Sequence, residues 1–348
     1  MYSFSKKYLS ELKINNELVR LVRRLGEYKG KQELYQKQAT EVLENLQLVA
    51  FAQSTESSNR LEQIIAEPKR LKQLLADKTK PNNRSEAEIA GYRDVLKTIH
   101  QSAREIPLTT NVIKQFHSDM IRYTGRHGGD WKSVNNKIIE QYTNGSIRVR
   151  FEPVEPIKVD EMMNKLVQSY NDQIALGDYD PLILIPLFIF DFTCIHPFKD
   201  GNGRISRLLT ILLLYHHNYE AVRYVSLEKI IEQTKESYYE TLEESSRSWH
   251  SRNHNIIPFL TYYLSTFLAA YDEFEKRANI IQKPRGTKTE MVINAIENFK
   301  GNFSISDVEK ACPVVGRDMI RKVMNQMRDD GLIENISKGK YAQWAKLK

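Results

Sequence analysis

Residues 182–207 read LILIPLFIFDFTCIHPFKDGNGRISR, and this stretch decides the fold. Its first half is apolar nearly all round, as expected of a helix buried on every side and not of an amphipathic surface helix. Asp180-Pro181 supplies the start, with Pro at the first helical position. Pro186 removes one backbone hydrogen bond and predicts a bend near the beginning. Residues 196–203 (HPFKDGNG) then form a polar, glycine-bearing turn, and residues 204–216 (RISRLLTILLLYH) a second buried helix. Two core helices joined by a short turn imply a mainly α domain.

The turn carries the chemistry. Gly201 and Gly203 free the backbone just before a helix, where amide N–H groups and the positive end of the dipole converge on one point. That point is an anion site suited to phosphate. Arg204 and Arg207 are three residues apart on the first turn and are expected on one face, where two guanidinium forks match a di- or triphosphate. Asp200 is a hard oxygen ligand of the kind that Mg²⁺ bound to phosphates requires. His196, at the end of the preceding helix, is the group able to accept a proton near neutral pH. A base, a metal carboxylate, an oxyanion nest and two arginines are the parts of phosphoryl-type transfer.

Outward from this core, most of the chain reads as helix. Residues 41–51 and 61–65 carry apolar residues at helical spacing, with a polar patch, QSTESSNR, at 53–60 between them. A loop at 78–84 (KTKPNNR) precedes a capping-box spacing at Ser85 and Glu88. Residues 137–151 are the exception: KIIEQY and SIRVRF flank Thr143-Asn144-Gly145, a strong hairpin signal. The hairpin either packs as surface decoration or offers its free edge to an extended peptide.

The segment 196–207 resembles the Fic family signature H-x-F-x-[DE]-G-N-G-R-x-x-R at every defined position. The resemblance extends over residues 36–271. It implies a Fic helical bundle with a β-hairpin flap, and transfer of AMP from ATP, with Mg²⁺, to a Tyr, Thr or Ser hydroxyl of a target protein. His196 would take the hydroxyl proton and Asp200 would hold the metal. Gly201, Asn202 and Gly203 would form the nest, and Arg204 and Arg207 would grip the outer phosphates, with Phe198 fixing the loop. Gly203 fits AMP transfer, since the kinase-like branch carries Lys there. Tyr238 and Tyr239 resemble the tyrosine pair near the adenine pocket, Tyr239 being the nucleotide-binding candidate. Ile138, Ile139, Ile147 and Val149 would line the target-docking flap. Upstream, residues 58–63 (SNRLEQ) resemble the inhibitory motif [ST]-x-x-x-E-[GN], with Gln63 replacing Gly or Asn. Glu62 would then pair with Arg207 from a helix containing Ser58 and restrain the enzyme. In some relatives the same glutamate helps removal of AMP, so the direction of reaction stays open.

Beyond residue 281 the order helix–helix–helix–hairpin reads as a winged helix-turn-helix. Ser306 with Glu309 is expected to cap its second helix, and Gly331 to end its third. Between residues 283 and 348 there are 13 Lys/Arg against 8 Asp/Glu, so about +5 of the chain's +7 lies there. Arg317, Arg321, Lys322 and Arg328 suit either DNA phosphates or a protein-docking surface. A regulator that binds DNA and senses nucleotide is the rival reading.

The expected organisation is an N-terminal helical segment at 1–35, a Fic domain at 36–280, a linker around Lys283-Pro284-Arg285-Gly286, and the winged helix at 281–348. Cys194 and Cys312 give no disulfide framework, which fits a reducing compartment. MYSFSKKYLSELK lacks a signal-peptide core, and the apolar runs 182–190 and 208–215 are too short to cross a bilayer. A cytoplasmic protein without membrane attachment is expected, with homo-oligomers left open.

Overall fold

A computed structural model describes residues 2–38, 40–141, 145–281, 287–299, 301–337, 339 and 342–347. The chain divides into two compact units, Met1–Gln32 with Leu48–Asp272, and Glu33–Gln47 with Glu273–Lys348. The molecule is mainly helical, as expected, with short antiparallel strands.

Helices α1 (Lys6–Glu11), α2 (Asn16–Gln38), α3 (Thr40–Leu61), α4 (Pro68–Leu75) and α5 (Arg84–Ser102) come first. They are followed by α6 (Thr110–Ile121), a hairpin of β1 (Ile138–Gln141) and β2 (Ile147–Phe151), and α7 (Pro156–Leu176). Next come α8 (Pro181–Ile195), α9 (Asn202–His216), α10 (Leu227–Gln233), α11 (Lys235–Ser246) and α12 (Ile257–Ile281).

Helix α8 is the axis of the larger unit. Every residue from Leu182 to Ile195 is buried, and Asp180 caps the helix by accepting from the Leu182 amide. Helix α9 is buried from Arg204 through Tyr215. The one carboxylate in the middle of α8, Asp191, is met by the chain's N-terminal residues. Ser3 donates its hydroxyl to Asp191 Oδ1 at 2.7 Å and its amide to Oδ2 at 3.2 Å, and the Trp249 indole donates to Oδ1 at 2.7 Å. His254 Nε2 lies 2.9 Å from the same Ser3 hydroxyl. With Phe4, Leu9, Leu18 and Leu25 also buried, the helical residues 2–32 are part of this unit.

One local expectation is corrected here. Helix α5 is capped by Asn83, whose side chain accepts from the Glu86 amide, and not by Ser85 with Glu88. Glu88 is thereby left for other partners. Helix α3 runs through the polar patch at 53–60, and Ser54, Thr55, Ser57, Ser58 and Asn59 are buried. The helix stops where Gln63 adopts φ +60°.

In the smaller unit, α13 (Thr287–Asn298), α14 (Ile305–Ala311) and α15 (Arg317–Asp329) enclose Val292, Ile296, Val308, Ile320, Val323 and Met327. A sheet of β3 (Phe303–Ser304), β4 (Ile333–Asn335) and β5 (Gln343–Lys346), in the order β3-β5-β4, adds Phe303, Ile333 and Trp344 to the same core. Ser304 and Asp307 form the capping box of α14, one turn-half earlier than Ser306 with Glu309, because the chain is still extended at Ser304. Gly331 follows α15 at φ +71° as expected. The expected linker residues 283–286 lie outside the described residues, as do Thr143 and Asn144 of the hairpin turn and Lys338 between β4 and β5.

Candidate active site

His196 sits at the C-cap of α8 with φ +51°, its amide donating to the Phe192 carbonyl at 2.9 Å. This left-handed residue turns the chain out of the core and presents the imidazole at the end of the helix. Nδ1 lies 3.4 Å from the Thr193 carbonyl, an acceptor, so the hydrogen belongs on Nδ1 and Nε2 keeps its lone pair. Burial pushes the ring's pKa down to about 4, helped by the ammonium of Lys132. The imidazole is therefore neutral at pH 7, as a proton acceptor must be.

The loop after His196 is held from several sides. Asn202 closes it on itself: its side-chain oxygen accepts from the Phe198 amide at 2.9 Å and its nitrogen donates to the Phe198 carbonyl at 2.8 Å. Phe198 is fully buried and stacks on His117 with ring centres 3.9 Å apart. His117 Nδ1 accepts from the Gly129 amide at 3.0 Å, so Nε2 carries the hydrogen and donates to the Asp200 carbonyl at 3.2 Å. Lys132 donates its amide to Pro197 and its ammonium to Ile195 and Asn136. His117, Lys132 and Asn136 lie outside the motif, and no spacing in the sequence singled them out.

Gly201 precedes α9 at φ +81°, and a Cβ there would come within 2.6 Å of the Met120 side chain. The left-handed φ is what calls for glycine, since the Met120 methyl could shift. The Asp200 carboxylate accepts from the Gly201 amide at 2.7 Å. Partial burial pulls its pKa up, but Arg204, that amide, Arg126 and Arg84 together hold it below the usual carboxylate range. No group of three or more metal-ligating side chains occurs among the described residues. One carboxylate beside an anion nest fits a cation that arrives with phosphate oxygens better than one held by protein alone.

The two motif arginines have different surroundings. Arg207 is buried; its Nε donates to Ser58 Oγ at 2.8 Å and its Nη2 to the Ser58 carbonyl at 2.9 Å and to Glu62 Oε1 at 2.7 Å. The Glu62 carboxylate lies against Gly203 so closely that a Cβ there would overlap it. An internal acid thus rests on the N-terminal turn of α9, where an anion is favoured. Arg204 is also buried, but its Nη2 pairs with Glu88 Oε2 at 2.7 Å and its Nη1 reaches Asn59 Oδ1 at 3.5 Å. A carboxylate on α5 thus holds the charge of Arg204, as Glu62 holds that of Arg207.

Tyr238 packs among Phe259, Tyr262 and Tyr263. Tyr239 instead lines a small cavity of about 40 Å³ with Ile138, Phe151, Thr193, Cys194 and Leu242. The hairpin reaches this cavity through Ile138, Arg150 and Phe151. In its register Ile139 faces Val149 and Gln141 faces Ile147, so Ile139, Val149 and Ile147 share one exposed face. Arg148 and Arg150 lie on the opposite face and both pair with Glu243 of α11, which fixes the hairpin to the helix that bears Tyr239.

The Fic/DOC family profile matches residues 107–214, which contain α6 through most of α9. The protein adenylyltransferase fic-1 of Caenorhabditis elegans is 36% identical over 73 residues, 21% of this chain and 14% of that protein. A Fido domain-containing protein of Dictyostelium discoideum is 34% identical over 64 residues, 18% of this chain and 45% of that one. The chain therefore matches less than half the length of these relatives. Among solved structures, a Fic family protein from Desulfovibrio desulfuricans G20 superposes with a TM-score of 0.61 at 19% identity, covering 96% of this chain and 97% of that one. A Fic domain containing signaling protein from Bacteroides thetaiotaomicron gives 0.62 at 23%, covering 74% and 97%. The fold is that of Fic proteins. The chain carries a Fic/DOC family domain.

On α15, Arg317 pairs with Glu309, Arg321 with Asp318 and Arg328 with Asp329. Among the described residues no helix is long and apolar enough to cross a membrane.

Proposed function

We propose that this protein transfers AMP from ATP to a hydroxyl side chain of a target protein, and that Glu62 restrains it. One observation carries the reading: a neutral imidazole stands beside an anion nest whose arginine is held by an internal carboxylate. The N-terminal turn of α9, with Gly203, and Arg207 would receive the phosphate chain once Glu62 withdraws. Tyr239 and the cavity around it would receive the base, and the exposed face of Ile139, Ile147 and Val149 the target segment.

With both substrates bound, His196 Nε2 accepts the proton of the target hydroxyl. The hydroxyl oxygen bonds to the α-phosphorus, the bond from that phosphorus to the β-bridging oxygen breaks, and pyrophosphate leaves with the electron pair. Asp200 would hold Mg²⁺, which neutralises phosphate charge when bound. The bound phosphates also raise the pKa of His196 from its resting value, since an anion favours the charged imidazole. Glu62 and the γ-phosphate compete for Arg207, so the resting chain is nearly inactive.

The deciding experiment follows label from α-³²P-ATP onto the protein itself and onto lysate proteins. Glu62→Gly is expected to label strongly and Glu62→Gly/His196→Ala to lose about 10²–10⁴ of that rate, the usual worth of a positioned base. Transfer of γ-label without α-label would replace AMP transfer by a kinase-like reaction. Loss of AMP from modified proteins with wild type but not with Glu62→Gly would assign AMP removal instead.

A further inference from the structure

Two arginines outside the motif flank the Asp200 carboxylate. Arg84, the first residue of α5, brings Nη2 to 3.4 Å from Asp200 Oδ2, and Arg126 brings Nη1 to 3.6 Å from the same oxygen. The Arg84 hydrogen bond is long and the Arg126 contact is an ion pair beyond hydrogen-bond reach, so the carboxylate holds both guanidinium groups only loosely. Their side chains are 65% and 40% exposed, so neither is needed to fill the core. Arg84 is nonetheless placed: its Nε is 2.7 Å from Glu88 Oε1, and Glu88 is fixed in turn by the buried Arg204.

The charges around Asp200 do not suit a bare dication. Arg84, Arg126 and Arg204 face Asp200 and Glu88, leaving the neighbourhood cationic, while Arg207 and Glu62 neutralise each other. A divalent ion arriving alone would meet two guanidinium groups around its only carboxylate. A polyphosphate would meet the same groups as donors with free N–H directions.

We propose that Arg84 and Arg126 bind phosphate oxygens of the nucleotide on the solvent side of Asp200, and that they make this carboxylate accept a divalent cation only together with phosphate. The proposal rests on the nucleotide-transfer reading above. It makes the two arginines part of the nucleotide site although neither lies in the signature motif.

The test uses the full-length Glu62→Gly chain, with and without Arg84→Gln/Arg126→Gln. Binding of ATP with Mg²⁺ is measured by titration calorimetry, and binding of Mn²⁺ alone by its free-ion paramagnetic resonance signal. The arginine replacements are expected to weaken MgATP binding about tenfold or more, as loss of two exposed charge-assisted contacts implies. They are expected to strengthen Mn²⁺ binding a few-fold (roughly, at surface dielectric) because the repulsion is gone. The dependence of MgATP affinity on salt should also become shallower. If Glu62→Gly binds MgATP and the replacements leave its affinity unchanged, the inference fails while the function stands. Weaker Mn²⁺ binding in the replaced chain also overturns it. If Glu62→Gly binds no MgATP at all, the functional reading fails and the inference with it. Arg84→Lys/Arg126→Lys should keep the Mn²⁺ repulsion, which separates charge from misfolding.

Discussion

Helix α8 and the C-terminal half of α3 are both buried, but by opposite means. Helix α8 hides Leu, Ile and Phe side chains on all sides. Helix α3 hides Ser54, Thr55, Ser57, Ser58 and Asn59, and its contacts include hydrogen bonds such as Ser54 to Ser226 and Arg207 to Ser58. Burial of apolar surface is favourable wherever it occurs, so α8 has no alternative to the core. Polar groups exchange protein partners for water at small net cost, so a polar face can leave and return. On the proposed function, the base would sit on the apolar helix and the brake on the polar one.

That contrast can be broken most severely in α8. Phe192→Ala should cost about 3–5 kcal/mol of unfolding free energy, measured by urea titration, as for other large-to-small core changes. A cost under about 1 kcal/mol would mean that α8 is not the axis described.

Acid should act next in size. Burial pushes the pKa values of His117, His196, His217 and His254 down to about 4 and of His100 to about 3. Below about pH 6.5 the unfolded chain takes up protons that the folded chain refuses, so stability falls as pH drops toward 4. Asp191 works the other way: burial raises it to about 6, so between about pH 6 and 4 the folded chain holds a proton that the unfolded chain lacks. The histidines outnumber it, and urea midpoints should be lower at pH 5 than at pH 7.5. His217→Gln should make that slope shallower; a steeper slope would contradict its burial as a neutral ring.

The smallest stability effects belong to α3. Ser58→Ala should cost about 1.5–3 kcal/mol, since it removes the acceptor of the buried Arg207 Nε, and on the proposed function it should raise AMP transfer through a looser Arg207–Glu62 pair. Gln63→Gly should stabilise by up to about 1 kcal/mol, since Gln63 is held at φ +60°, and should lower transfer by fixing the brake. A Gln63→Gly chain that transfers faster than wild type would separate the turn from the brake.

The same contrast explains what could be read before the structure. Helices α8 and α9 were legible because an all-apolar run has one place to go. The hairpin was legible because Asn-Gly marks a turn. The buried face of α3 was not, because SSN looks like solvent-exposed sequence until its partners on α9 are known. The pairing of Arg204 with Glu88 was not legible either, because Glu88 sits on a different helix, where its spacing from Ser85 suggests a cap. Capping itself misled at both α5 and α14: two overlapping spacings fit each start, and only the extended residue, Asn83 or Ser304, decides between them.

The position of Glu62 against Gly203 has one further consequence. Because the carboxylate is tethered to the chain, it confronts the nest at a fixed effective concentration that dilution cannot change. On the proposed function, nucleotide would have to outcompete that local supply, and the fraction of unlocked molecules would follow the ratio of ATP to a built-in constant. On that account the protein is a gauge of nucleotide level whose set point is written in the stability of one polar helix.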